Sequence, residues 1–249
     1  MINKELIKRR FAAHYSTYNN HAKAQEDICE RIAIQLEKLN ISPIYALEFG
    51  AGTGFLTKHL IEQYPQCSWL LNDISQEAHP YLESVCSGKK VEYLFCDAEN
   101  GEFPNKYDLI ASASTIQWFE NPKNFISNLP LNSGGYVAIT TFTPDNFKEI
   151  SLSTHSKGLQ YYSLSEYEEW FKESGYTKVF TDSYSMELLF DSPLEVLRHL
   201  KYTGVNAIEN VQWSRGKLND FIERYEVNFT KKTSVSLTYA PLLMIFKKN

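Results

Sequence analysis

The chain reads as an α/β fold built on a mostly parallel, doubly wound sheet. Three observations predict it. Short apolar runs alternate with amphipathic helical stretches through the middle of the sequence. A glycine cluster, Gly50-Ala51-Gly52-Thr53-Gly54, follows the first of these runs directly. The alternation gives way near the end to two longer strand-like runs, Lys178–Phe190 and Val235–Lys247, with helical sequence between them.

The first forty residues read as helix. Phe11, Tyr15, Tyr18 and Ala22 fall on one helical face, and Ile28, Ile32, Leu36 and Leu39 continue with a second stripe. Tyr45–Phe49 is then a buried strand ending in the glycine cluster, and Thr53–Tyr64 a helix stopped by Pro65. Ser68–Leu71 is a second strand ending at Asn72-Asp73, followed by a helix over Ser75–Val85. Val91–Phe95 is a third strand ending at Cys96-Asp97, and Tyr107–Ala111 a fourth. A helix over Pro122–Leu129 and a fifth strand over Tyr136–Phe142 follow. Ser165–Ser174 is a helix with Gly175 as its stop. Ser192-Pro193-Leu194-Glu195 reads as a capping box with proline at the first helical position. That helix carries a Leu194, Leu197, Leu200 stripe and ends at Gly204. The expected organisation is one domain over 1–249. It comprises a helical lid (1–40), a core (41–190), a helical cap over one sheet edge (191–233) and a last strand (234–249).

At 43% hydrophobic and 22% charged residues, the 249-residue chain has the composition of a packed globular protein. Its net charge of −5 argues against a general nucleic-acid binder. Cations nevertheless outnumber anions in two segments, 1–25 and 192–232. No apolar stretch follows Lys8-Arg9-Arg10, and no window has the length of a membrane helix. Cys29, Cys67, Cys86 and Cys96 form no CxxC pair and lack zinc-site spacing. The expectation is a cytoplasmic protein with reduced thiols, no metal and no membrane or nucleic-acid partner.

The loop Gly50-x-Gly52-x-Gly54 lies where open α/β sheets bind ligands, at a strand's carboxyl end. Phe55 stands where the dinucleotide pattern has its last glycine. Glu48, just before the loop, would repel a pyrophosphate and suits a cationic ligand without phosphate, a description that fits S-adenosylmethionine. Asp73 lies nineteen residues past Gly54, at the second strand's end, where a carboxylate can take both ribose hydroxyls. Asp97 ends the third strand and can accept from the adenine amino group. After strand four, Ser112-Ala113-Ser114-Thr115-Ile116-Gln117-Trp118 lacks the Asn/Asp-Pro-Pro-Tyr/Phe signature of enzymes that methylate amino nitrogens.

Glu48, Gly50, Gly52, Gly54, Asp73 and Asp97 at successive strand ends resemble the class I S-adenosylmethionine-dependent methyltransferases. A narrower resemblance spans nearly the whole chain. Arg10-Phe11, Tyr18, Ala22, Gln25, Gln117-Trp118, Leu197-Arg198-His199-Leu200-Lys201-x-Thr203-Gly204-x-Asn206-Ala207 and Leu237-Thr238-Tyr239 are similar to the malonyl-acyl-carrier-protein O-methyltransferase family of biotin synthesis. Phe49 departs from that family's small aliphatic residue, and Ala113 stands where it often has Asn. The resemblance implies a Rossmann-like, seven-stranded sheet with an antiparallel last strand and the cap inserted between the last two strands. It implies a cofactor site that also includes Gln25, Ala51, Ile74, Ala98, Ala113 and Ser114.

It further implies methyl transfer to the free carboxylate of a malonyl thioester on acyl carrier protein, or of malonyl-CoA. A carboxylate with a pKa near ~4 is already ionised at neutral pH, so the reaction needs positioning and a dry site rather than a base. Arg198 is the candidate for the malonyl carboxylate, and Tyr18 the candidate hydroxyl donor on a lid that closes over the cofactor. Gln117, Trp118 and Lys201 are candidate substrate contacts, while His155 and His199 read as structural or surface residues. Arg215, Lys217, Lys231 and Lys232 are candidate rim contacts for an acidic carrier protein. Three other readings stand beside this one: a methyltransferase of a small free carboxylic acid, a non-catalytic S-adenosylmethionine-binding protein, and a nicotinamide oxidoreductase.

Overall fold

The structure, a computed structural model, describes residues 2–154, 158–204 and 214–249. His155 and the Asn206-Ala207 part of the cap motif lie outside the described residues. Three helices open the chain: α1 (Lys4–Ala12), α2 (Tyr15–His21) and α3 (Lys23–Glu37). The stripe Phe11–Tyr15–Tyr18–Ala22 is therefore not one helix. His14, at φ −120° and ψ 0°, leaves helical geometry between α1 and α2, and Ala22 breaks the chain again before α3. Helix α3 buries Ile28, Ile32 and Leu36 completely.

The alternating core follows as β1 (Tyr45–Phe49), α4 (Phe55–Gln63), β2 (Ser68–Asp73), α5 (His79–Val85), β3 (Val91–Phe95), β4 (Tyr107–Ala113), α6 (Pro122–Ser127) and β5 (Leu131–Phe142). Then come α7 (Lys148–Thr154), α8 (Leu164–Glu173), β6 (Tyr176–Ser183), β7 (Met186–Phe190), α9 (Pro193–Tyr202), α10 (Arg215–Phe229), β8 (Thr230–Lys231), β9 (Ser234–Tyr239) and β10 (Pro241–Lys248). The main sheet has seven strands in the order β3-β2-β1-β4-β5-β10-β6. β1, β2, β3, β4 and β5 are parallel to one another, and β10 runs antiparallel to both β5 and β6 between them.

Period-two alternation sends each strand's side chains to two separate cores. In β1, Ala46 joins a cluster that includes Ile28, Leu36, Leu56 and Leu60, while Leu47 and Phe49 join Ile110, Phe125, Phe171 and Phe246 on the other face. Phe49 fills its core with Phe119 and Phe125 as ring partners at 5.8 and 5.1 Å, which accounts for a bulky residue at this position.

The two long strand-like runs each divide. β6 and β10 belong to the main sheet, whereas β7 and β9 pair with each other and with β8 in a separate three-stranded sheet. For the second run the reason is local to Ala240-Pro241. Proline cannot donate to a ladder. The Ala240 N–H instead donates to Asn146 Oδ1 at 3.1 Å and its carbonyl accepts from the Thr143 N–H at 2.9 Å, so the strand changes sheets there. The insertion between β6 and β10 thus contains a small sheet as well as helices.

Helix α9 starts at Ser192, whose hydroxyl accepts from the Glu195 N–H at 3.4 Å. The capping box is only half formed, because the Glu195 side chain pairs with Arg198 instead of reaching back. The buried face of α9 is also rotated from the leucine stripe: Pro193, Val196, His199 and Leu200 are buried, and Leu194 is 41% exposed. No helix among the described residues is long and apolar enough to cross a membrane.

Candidate active site

The parallel strands β1, β2, β3 and β4 point their carboxyl ends at one pocket, and the sheet order reverses between β1 and β4. The glycine loop forms its floor. Gly50 and Gly52 have φ of +68° and +56°, and Gly54, at +85°, starts α4. A Cβ on Gly50 would lie 2.1 Å from Thr115 Oγ1, so both backbone geometry and the close crossing of the β4 loop require glycine there. Ser114, at the end of β4, also has a left-handed φ of +54° and lines the pocket. Such strain in a non-glycine residue is typical of a functional loop.

Two carboxylates dominate the interior. Glu48 is 1% exposed, and its Oε2 accepts from the Thr57 hydroxyl at 2.8 Å. Burial pushes its pKa up to about 8; the Thr57 bond opposes this and the nearby Asp73 adds to it. Asp73 Oδ2 accepts from the Gly52 N–H at 2.8 Å, and Oδ1 accepts from the Ser75 N–H at 2.9 Å and from the Tyr15 hydroxyl at 3.2 Å. Burial raises its pKa against the pull of those donors.

The third carboxylate is engaged by the N-terminal helix. Lys4 Nζ lies 2.9 and 2.8 Å from the two oxygens of Asp97 and also bonds Glu99. Burial alone would raise the Asp97 pKa, but Lys4 and Asn100 hold it below the usual range.

The upper wall is aromatic. Phe11 packs edge-on against Trp118 at 5.8 Å and near Tyr18 at 6.3 Å, and Tyr18 contacts Phe55 at 5.9 Å. Gly204 closes this wall from the cap, since a Cβ there would meet the Phe11 ring at 2.8 Å. Desolvation drives the Tyr18 phenol far above its ordinary pKa, so it is a neutral donor at any working pH.

The pocket brings together most of the residues singled out in the sequence. Tyr18, Gln25, Glu48, Gly50, Ala51, Gly52, Asp73, Ile74, Asp97, Ala98, Ala113, Ser114 and Trp118 all line it. Gly54 acts behind the wall, where its position meets Val85 and Leu82. Gln117 is buried beside it, donating to the Ser114 carbonyl at 2.7 Å and accepting from Thr141 at 3.2 Å, so it braces the strained loop.

Arg198 and Lys201 are not among the lining residues. The Arg198 side chain is 62% exposed and paired with Glu195, and Lys201 is exposed near His14. The helical geometry of α9 explains this: His199 takes the inward position, which turns residue 198 outward. Sequence reasoning missed Lys4, Tyr15 and Thr115 as parts of the site. Tyr15 carried a signal in the Phe11–Tyr15–Tyr18 stripe; nothing at residue 4 announced a partner 93 residues away.

Five buried polar atoms of lining residues have no protein partner among the described residues: Gln25 Oε1, Thr53 Oγ1, Asn72 Oδ1, Ser114 Oγ and Trp118 Nε1. Buried polar groups are normally satisfied. Acceptors and a buried carboxylate on the loop side, with further hydrogen-bonding groups near β4, suit a small zwitterionic or cationic ligand.

Sheet order, loop and pocket together define a Rossmann-like methyltransferase, and a family model described as a methyltransferase domain matches residues 20–180. A malonyl-acyl-carrier-protein O-methyltransferase from Bacteroides thetaiotaomicron is 38% identical, covering 99% of both chains. One from Haemophilus ducreyi is 36% identical over 99% of this chain and 98% of its own. Among solved structures, the N-methyltransferase NodS from Bradyrhizobium japonicum, in complex with S-adenosyl-L-homocysteine, shares the fold with a TM-score of 0.54. Its identity is 12%, over 88% of this chain and 86% of that one. The chain belongs to the malonyl-acyl-carrier-protein O-methyltransferase family.

Proposed function

We infer that the protein transfers a methyl group from S-adenosylmethionine to the free carboxylate of a malonyl thioester carried on acyl carrier protein. The observation that carries this reading is the full-length similarity to relatives bearing that activity in their names. The charge masked by the methyl ester would let fatty-acid elongation use the product as a primer for biotin synthesis.

S-adenosylmethionine supplies an electrophilic methyl on a sulfonium when bound. Glu48 and the Gln25 oxygen suit its cationic portion, Asp73 the ribose hydroxyls, and Asp97 with Ala98 the adenine. Ala51, Ile74, Ala113 and Ser114 complete the walls of that site.

The acceptor carboxylate needs no deprotonation, and the chain's work is to hold it in line and dry. Phe11, Tyr18 and Trp118 exclude water from the acceptor end, and the Tyr18 hydroxyl and Trp118 Nε1 are its neutral donors. A neutral donor orients an anion while quenching its nucleophilicity less than an ion pair does. Arg198 and Lys201, on the outer face of α9, then meet the acidic carrier protein at the rim.

Comparing malonyl- with acetyl-acyl-carrier protein tests this reading. Transfer of label from the cofactor to malonyl but not acetyl carrier protein is expected, because acetyl offers no carboxylate. Equal labelling of both would overturn it.

A further inference from the structure

Asp97, the carboxylate assigned to the adenine amino group, is already fully engaged by the protein. Its Oδ1 accepts from Lys4 Nζ at 2.9 Å and from the Glu99 N–H at 3.1 Å. Its Oδ2 accepts from Lys4 Nζ at 2.8 Å and from the Asn100 side-chain amide at 2.6 Å. A carboxylate offers about four lone-pair positions, two on each oxygen, so all of them are taken. One donor must leave before Asp97 can bond the base.

Lys4 is that donor. It lines the pocket, whereas Glu99 and Asn100 are not among the lining residues, so the position a ligand can take over is the one Lys4 fills. Glu99 and Asn100 also belong to the turn that follows Asp97, while Lys4 arrives from α1, 93 residues away. Helix α1 contributes no fully buried residue, and segments with little buried apolar surface open at low free energy. Its start is tied down at the pocket rim by the Ile2 N–H, which donates to Glu120 Oε1 at 3.2 Å. Glu99 offers Lys4 a second carboxylate to keep when it releases the first. That carboxylate is fixed by the N–H groups of Glu120 and Asn121, at 2.9 and 2.6 Å.

We propose that Lys4 is an autoinhibitory occupant of the adenine subsite, which the adenine amino group of the cofactor displaces from Asp97. This rests on the S-adenosylmethionine reading of the pocket. The cofactor then binds only the fraction of molecules in which Asp97 has been released, and its apparent affinity is reduced by that fraction. Through Lys4 the lid helix senses whether the adenine end of the site is filled.

The test is calorimetric titration with S-adenosylhomocysteine and with its 6-deamino analogue, which lacks only the adenine amino group. Lys4→Met, which keeps the aliphatic stem and removes the charge, is expected to bind S-adenosylhomocysteine about three- to tenfold more tightly than wild type. The analogue makes no demand on Asp97, so its affinity stays nearly the same and the ratio between the two ligands rises. Lys4→Arg, which can still bond both carboxylate oxygens, keeps the wild-type ratio. Added salt screens the Lys4–Asp97 pair, so the gap between wild type and Lys4→Met narrows as ionic strength rises. Equal changes for the two ligands in Lys4→Met would make Lys4 a general part of the lid and overturn the proposal. Weaker binding of S-adenosylhomocysteine would make it a clasp that retains the cofactor, and would overturn it as well. Absence of S-adenosylhomocysteine binding to the wild-type protein would instead overturn the cofactor reading itself.

Discussion

The hydroxyl of Tyr15 sits 3.2 Å from Oδ1 of Asp73, so the lid contacts the carboxylate proposed to bind ribose. Asp73 simultaneously holds the Gly52 N–H, tying loop, lid and ligand to one side chain. Asp73→Ala is expected to weaken S-adenosylhomocysteine binding by about 100-fold, because bonds to charged groups are worth roughly 1.5–3 kcal/mol and more than one is lost. Tyr15→Phe leaves the backbone donors in place and is expected to cost less than about fivefold. Calorimetry checks both; unchanged affinity in Asp73→Ala would rule out the ribose assignment.

Glu48 gives the protein a pH signature. Its folded pKa of about 8 lies above the ordinary 4.5, so the folded state keeps a proton that the unfolded chain releases in that window. This contribution to stability is complete below the unfolded value and is lost as pH rises through the folded one. Glu48→Gln carries no such burden, so its Tm relative to wild type should climb between about pH 5 and about pH 9. Ligand binding should move oppositely. Wild-type affinity for S-adenosylhomocysteine rises as Glu48 ionises, and the variant shows no matching rise. A constant Tm difference across that range would contradict the burial of a titrating Glu48.

His199 works in the other direction. Its folded pKa of about 4 lies below the ordinary 6.5, so stability is full above the unfolded value and falls as pH drops through that interval. The loss amounts to about 3 kcal/mol at its limit. Urea unfolding of wild type and His199→Gln across the interval should give a shallower acid limb for the variant.

Arg198 lies on the outer face of α9, paired with Glu195. Arg198→Ala should leave S-adenosylhomocysteine affinity unchanged and raise KM for malonyl-acyl-carrier protein about two- to tenfold, with kcat nearly constant, as for a rim charge. A collapse of kcat at saturating carrier protein would place the arginine on the reacting carboxylate instead.

Much of the site was legible because strand ends carry their own signals. β1 and β3 have the bounds their apolar runs indicated, and Glu48 and Asp97 follow from them; β2 continues two residues past its apolar run and ends on Asp73 itself. The cap was less legible because its pattern is deceptive. Leu194, Leu197 and Leu200 suggest the buried stripe, but the inward face includes His199, a residue that hydropathy counts as polar and that Tyr239 makes compatible with burial. The split of the last two runs was hidden because both halves of each have strand-like composition; β6 and β7 are separated by Tyr184-Ser185, and β9 and β10 part at Ala240-Pro241. Helix α7 was unforeseen; its sequence, KEISLST, is rich in serine and threonine and follows Thr143-Pro144-Asp145-Asn146, so local preference favours a turn. It is held instead by long-range bonds, including the Thr238 N–H to Glu149 Oε2 at 3.0 Å.

The central claim, methyl transfer to a carrier-bound malonyl carboxylate, is tested most directly by intact-mass analysis of malonyl-acyl-carrier protein after incubation with enzyme and S-adenosylmethionine, with free malonate as a parallel acceptor. The account predicts a carrier-protein species heavier by one methylene, formed faster than any methyl ester of free malonate. An unchanged carrier-protein mass, or methylation of free malonate at an equal or greater rate, would contradict it.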